Sequence, residues 1–117
     1  MFSDPQTITI DGVAKTLPAI NRGETSSTYR KADGELTFTV SHQKTGKGRY
    51  RHLIRVDRSV IGTDPFTSNN MEFQDAVYLV IDRPSIGIDN VDVRKLALGL
   101  VGFATSGNLD KVIALES

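Results

Sequence analysis

An α+β fold, an N-terminal β-hairpin and antiparallel meander sheet followed by two C-terminal helices, is predicted by three observations. Between residues 6 and 82, apolar and polar side chains alternate with period two, the spacing of a sheet buried on one face. Turn signals at Asp11-Gly12, Ala32-Asp33-Gly34 and Thr45-Gly46-Lys47-Gly48 divide that stretch into strands that fold back on one another. Beyond Pro84 the period changes, and an almost wholly apolar run follows a helix N-cap at Asp89. A chain of 117 residues suits one domain over 1–117, with strands at about 6–82 and helices at about 89–105 and 108–116.

Taken in order, Gln6–Ile10 and Val13–Leu17 form a short hairpin across Asp11-Gly12. Pro18 to Glu24 is expected as a loop, and Thr25–Lys31 is β-prone but polar, as suits an edge strand or one with a wet face. In Glu35–Gln43, Leu36, Phe38 and Val40 share one face, with Thr37, Thr39, Ser41 and Gln43 on the other. Arg49–Val60 sets Tyr50, His52, Ile54 and Val56 against Arg49, Arg51, Leu53, Arg55 and Asp57. A Gly/Pro/Asn-rich loop over 62–70 leads to a long strand, Met71–Asp82. Val91–Thr105 is helical, with Asp92 near the positive helix end, and its stretch from Leu96 to Ala104 is apolar on every side. Ser106-Gly107 ends it, and Asn108 is read as the cap of a second short helix carrying Leu109, Val112, Ile113 and Leu115.

These elements do not bury one another well. Two short helices cover a wide apolar sheet face poorly, while the first helix has apolar surface to spare. Gly99 and Gly102 thin that helix enough for another backbone to approach. An obligate homodimer that exchanges helices across an extended sheet is the simplest remedy.

Composition narrows the function. Lys plus Arg number 14 and Asp plus Glu number 14, so bulk charge alone cannot hold nucleic acid. The charges segregate, with 10 basic and 6 acidic residues over 1–58, and 4 basic and 8 acidic over 59–117. The absence of Cys removes disulfides, thiolate metal sites and Cys nucleophiles. No apolar run reaches the roughly 18 residues that a bilayer-crossing helix needs. The start, Phe2-Ser3-Asp4-Pro5, lacks the basic and apolar regions of a signal peptide, so the expectation is a protein made in a cytoplasm, with no membrane partner.

The stretch Leu36-Thr37-Phe38-Thr39-Val40-Ser41-His42-Gln43, a short turn, then Gly48-Arg49-Tyr50-Arg51, resembles the central hairpin of the coat proteins of leviviruses, the single-stranded RNA bacteriophages. Tyr78 through Pro84 into the Asp89 helix resembles that family's last strand and swapped helix. The likeness covers nearly the whole chain and rests on order, length and pattern. It implies an interlocked homodimer with a continuous ten-stranded sheet, helices outside and the other face turned inward to RNA. It further implies closure of dimers into an icosahedral shell, with the 61–70 loop at the symmetry axes. The implied partners are phage RNA, including an operator hairpin that represses replicase translation, and the phage maturation protein. The implied location is the virion, assembled in the host cytoplasm.

Carried over by position, the RNA-binding candidates are Thr39, Ser41, Gln43, Arg49, Arg51 and Arg55, with Gln74 and Tyr78 from the last strand. An independent physical case exists. Residues 44–58 hold Lys44, Lys47, Arg49, Arg51, Arg55 and Arg58 against one acid, Asp57. Three of these arginines share a strand face in a row that can track phosphates, and a Tyr ring can stack on an unpaired base. The bland alternative is a solvated strand whose cations discourage edge-to-edge aggregation. Leu53 interrupts the row.

Two other constellations carry less. His42 and His52 fall on one face and oppose each other across a three-residue turn, a pair that could bind a metal or respond to pH, although no third ligand is evident and the bland reading is two amphipathic side chains near the hairpin tip. No nucleophile elbow or phosphate loop is present, so no catalytic residue, cofactor or metal is assigned. The rivals to a coat protein are a free-standing dimeric RNA-binding translational regulator and, behind it, a small enzyme with its cleft at a dimer interface.

Overall fold

Turn chemistry places the strands. Asp11 and Gly12 both adopt positive φ (52° and 76°), the pair of left-handed residues that a two-residue hairpin turn requires. They join β1 (Gln6–Ile10) to β2 (Val13–Leu17), with Ile10 opposite Val13. The computed structural model describes residues 2–116. Its second sheet contains β3 (Ala19–Arg22), β4 (Ser26–Arg30), β5 (Leu36–Thr45), β6 (Arg49–Thr63) and β7 (Asn70–Pro84), antiparallel and in chain order. Two helices follow, α1 (Asn90–Phe103) and α2 (Ser106–Ile113).

The architecture is the expected one, with differences in detail. A strand, β3, replaces the expected loop after Pro18, because Ala19 and Asn21 find partners on β4 around a register irregularity. The central strands run longer than their alternation suggested. The β6–β7 ladder continues to Thr63 opposite Asn70, which shortens the intervening loop to residues 64–69. Asp89 caps α1 as anticipated, its side chain accepting from the Val91 amide at 3.2 Å. The second cap is Thr105, whose hydroxyl accepts from the Asn108 amide, so Asn108 lies inside α2. The Asn108 side-chain amide instead donates to the Phe103 carbonyl at 2.8 Å.

Register decides which face each residue takes. Leu36, Phe38 and Val40 stand beside Arg58, Val56 and Ile54, and those beside Asp75, Val77 and Leu79. The β1–β2 hairpin folds over one end of this face. Leu17, Tyr29 and Leu36 are fully buried there, with Ile8, Ile10, Ala19, Phe38 and Val56 packed around them. The other end, over β7, stays open: Val77 is 77% exposed. No residue of α1 or α2 is buried, and Leu96 is 79% exposed. The helix that its sequence requires to be enclosed is therefore left uncovered by its own chain.

Global dimensions express the same fact. The radius of gyration is 17.1 Å, against about 13 Å for a compact domain of this length. The accessible surface is 8970 Å², which exceeds by about 2,700 Å² the value expected of a folded monomer of this mass.

Candidate nucleic-acid interface

The eight candidates all lie on the polar face of the β4–β7 sheet. Because β5, β6 and β7 pair without a bulge, their side chains align in rows across the strands. Gln43, Arg51 and Asp82 make one row, Ser41, Leu53 and Val80 the next, and Thr39, Arg55 and Tyr78 the third. Arg49 lies beyond the first row, between Thr45 and Pro84. Gln74 opposes Ser59 toward the far end of the ladder, four residues from Tyr78, so it is set apart from the central group.

The row of arginines is less positive than the sequence suggested, because register brings acids to it. Arg49 Nε donates to Asp82 of β7 at 3.0 Å. Arg55 Nε donates to both carboxylate oxygens of Asp57, at 2.9 and 3.1 Å, and its guanidinium lies 5.5 Å from the centre of the Tyr78 ring. The Asp57 hydrogen bond holds Arg55 even more firmly in its charged form than an ordinary arginine. Arg58 belongs to the opposite face, where it is engaged by Asp75 at 2.5 Å. Among the described residues Arg51 makes no ion pair, which leaves it the freest cation of the row.

Exposure grades what each residue can offer. Gln43, Arg49, Arg51, Arg55, Gln74 and Tyr78 are exposed, whereas Thr39 and Ser41 are half-buried between their neighbours. Leu53 and Val80 form an apolar strip between the two basic rows. The face can thus offer a phosphate ligand at Arg51, hydroxyls at Thr39 and Ser41, and a ring at Tyr78 backed by a guanidinium. Sequence reasoning left β4 out of this face, to which it adds Ser26 beside Ser41, Thr28 beside Thr39 and Arg30 beside Thr37. The alternation in Ser26–Arg30 carries that signal, but only the register shows which side of the strand joins the rows. Among the described residues no group of three or more His, Asp or Glu side chains is placed to hold a metal ion.

A hairpin, a five-stranded antiparallel sheet and two C-terminal helices, with one sheet face polar, define the capsid fold of the levi-like RNA phages. The structure superposes on the protein in a virus-like particle of bacteriophage AVE019 with a TM-score of 0.81, at 12% identity over 96% of this chain and 94% of that one. The coat protein of bacteriophage EMS014 matches at 0.69 and 20% identity, covering 92% and 80% of the two chains. The bacteriophage GA capsid protein matches at 0.62 and 11% identity, covering 97% and 95%. No curated protein matches significantly by sequence. The family model described as "Phage phiCb5, coat protein" matches residues 3–84, and the chain belongs to that family. It is a structural protein of the phage capsid and not an enzyme.

Proposed function

We propose that this coat protein acts as an interlocked homodimer, that its dimers close into an icosahedral shell, and that the polar sheet face contacts the packaged RNA. The excess of accessible surface over a folded monomer carries the assembly reading. About 2,700 Å² per protomer is the scale of an obligate interface, not of a transient one. Its location agrees, because β7 is the open edge of the sheet and borders one groove together with the uncovered α1. Pairing β7 with its copy would extend the sheet to ten strands and give α1 a second sheet to cover. The neighbouring structures from AVE019 and EMS014 include virus-like particles, which supports the same reading.

For RNA, the support is the juxtaposition of Arg51, Thr39, Ser41, Arg55 and Tyr78 in adjacent rows on a wet face. One RNA hairpin bound across the dimer would nucleate packaging and repress replicase translation. Gln43, Arg49 and Gln74 belong to the same proposed surface. The maturation protein would join the shell, and assembly would take place in the host cytoplasm.

Expression of the protein alone in bacteria tests this, followed by size exclusion with an ultraviolet absorbance ratio and electron microscopy. Uniform shells containing host RNA are expected. A dimer free of nucleic acid would refute shell formation, and a dimer that retains RNA without forming shells would favour the translational regulator.

A further inference from the structure

The opposite sheet face holds a second polar group that the RNA-contacting role does not use. His42 and His52 are paired in register, with their Nδ1 atoms 2.8 Å apart. Arg83 Nε donates to His52 Nε2 at 3.0 Å. Tyr50 stacks on His52 at 6.3 Å and an 8° interplanar angle. The Arg83 guanidinium lies 4.8 Å from the centre of the Tyr50 ring, and the Lys44 ammonium 5.9 Å from it.

Hydrogen-bond chemistry assigns the protons. An arginine Nε–H can only donate, so His52 Nε2 must present a lone pair. The neutral His52 ring then carries its proton on Nδ1 and donates it to His42 Nδ1. His42 in turn carries its proton on Nε2. Within this chain a further proton on His52 would face the Arg83 N–H, and one on His42 Nδ1 would face the His52 N–H. The contacts therefore require both rings to be neutral.

The charged surroundings oppose protonation as well. Arg83 from β7 bonds to His52, Arg94 from α1 shares with His52 an open groove of about 370 Å³, and Lys44 from β5 lies over the Tyr50 ring that stacks on His52. Glu24, which lines a groove with His42, is the acid on that side. Burial, then Arg83, then His42 hold His52 below its usual 6.5. The groove beside His52 is walled by Ile81 and Arg83 from β7 and by Val93, Arg94 and Ala97 from α1, so His52 lies in the open groove between α1 and the sheet, with His42 beside it on β5.

We propose that the Arg83–His52–His42 chain is an acid-sensitive latch: protonating the pair breaks the chain, gathers like charge under α1 and loosens that helix from the sheet. Because α1 is the element offered to a second copy, the dimer and its shell weaken with it. That last step rests on the assembly proposed above, whereas the latch itself does not.

The sign follows from linkage. A histidine held below its unfolded value leaves the folded state with fewer bound protons than the unfolded chain. Its contribution is complete above pH 6.5 and is lost as pH falls through the lower folded value.

The test compares the full chain with its His52→Gln variant, whose side-chain oxygen can accept from Arg83 while its amide donates to His42. Hydrogen exchange of the α1 amides, corrected for intrinsic rates, and the thermal midpoint are measured at about pH 7.5 and about pH 5, on either side of ordinary histidine titration. In the wild type, α1 exchange is expected to speed severalfold and the midpoint to fall on acidification, with both responses much reduced in the variant. Equal responses in the two proteins, or none in the wild type, would overturn the latch. If the variant does not fold, nitrogen NMR of the wild-type rings decides. One Nδ1–H and one Nε2–H tautomer at neutral pH supports the chain, and two rings titrating independently without any change in α1 refutes it. Size exclusion at about pH 7.5, the neutral arm of the same comparison, tests the dimer separately.

Discussion

Individual arginines on the polar face are given different tasks by their neighbours. Arg55 is occupied by Asp57 and lies over Tyr78, Arg49 is held by Asp82, and Arg51 keeps an open guanidinium. Exposed pairs of this kind contribute little to stability, so their main effect is on how much charge each arginine can offer to a phosphate. Arg51→Ala should weaken RNA binding and reduce the slope of log affinity against log salt by roughly 0.7–0.9 for each phosphate that is no longer neutralised, with the dimer intact. Asp57→Asn should act oppositely, releasing Arg55 and steepening the slope. Filter-binding titrations of RNA at several salt concentrations would check both, and identical slopes in all three proteins would mean that RNA binds elsewhere. Tyr78 contributes differently: its removal as Tyr78→Ala should cost about 1–3 kcal/mol of RNA affinity if a base stacks on it, with the salt slope unchanged.

At the scale of elements, the strands owe their positions to register and the helices to their caps. A one-residue slip of β6 against β5 would turn Arg49, Arg51 and Arg55 onto the apolar face, so the buried Leu36 and Val40 hold the polar rows in place indirectly. The helix α1 has no buried residue within its own chain, only Val93 and Ala97 being half-covered beside the sheet, and its first turn depends on Asp89. Asp89→Ala should destabilise that turn by about 1 kcal/mol, visible as faster exchange of the amides near residues 90–93. Unchanged exchange there would show that interactions beyond the cap hold the turn. The β6–β7 ribbon also extends past the end of β5, carrying Ile61 and Phe73 on opposite faces and the 64–69 loop at its tip. Apolar side chains on both faces of an unsupported ribbon suit a segment that meets other copies.

Over the whole molecule, the chain is extended because much of its apolar surface is addressed to something outside it. Leu96, Leu98, Leu100, Val101 and Phe103 are all more than half exposed along one helix. A folded monomer with that much open apolar surface is unstable or aggregates, and a partner removes both problems. Leu96→Asp combined with Leu100→Asp should therefore abolish the dimer and lower the thermal midpoint sharply, as read by light scattering and circular dichroism. A stable, monomeric double variant with wild-type melting would show that α1 is not part of the dimer interface.

Much of this was legible in the sequence, and for identifiable reasons. Period-two alternation, Asp11-Gly12 and Asp89 are local signals, acting within a few residues, and they determined the strand order, the first hairpin and the α1 cap. The opposed histidines followed from the same alternation once the turn was taken as three residues, since Thr45 does pair with Arg49. An apolar α1 already implied that something must enclose it. What tertiary structure alone decided involves residues distant along the chain. The β7 acid Asp82 moderates Arg49 from 33 positions away, and β4 brings its own hydroxyls to the candidate face. The Arg83 bond that orients the histidine pair spans 31 positions. Local periodicity specifies which face a side chain takes along its own strand, whereas the charge and protonation of that face depend on which strand comes to lie beside it.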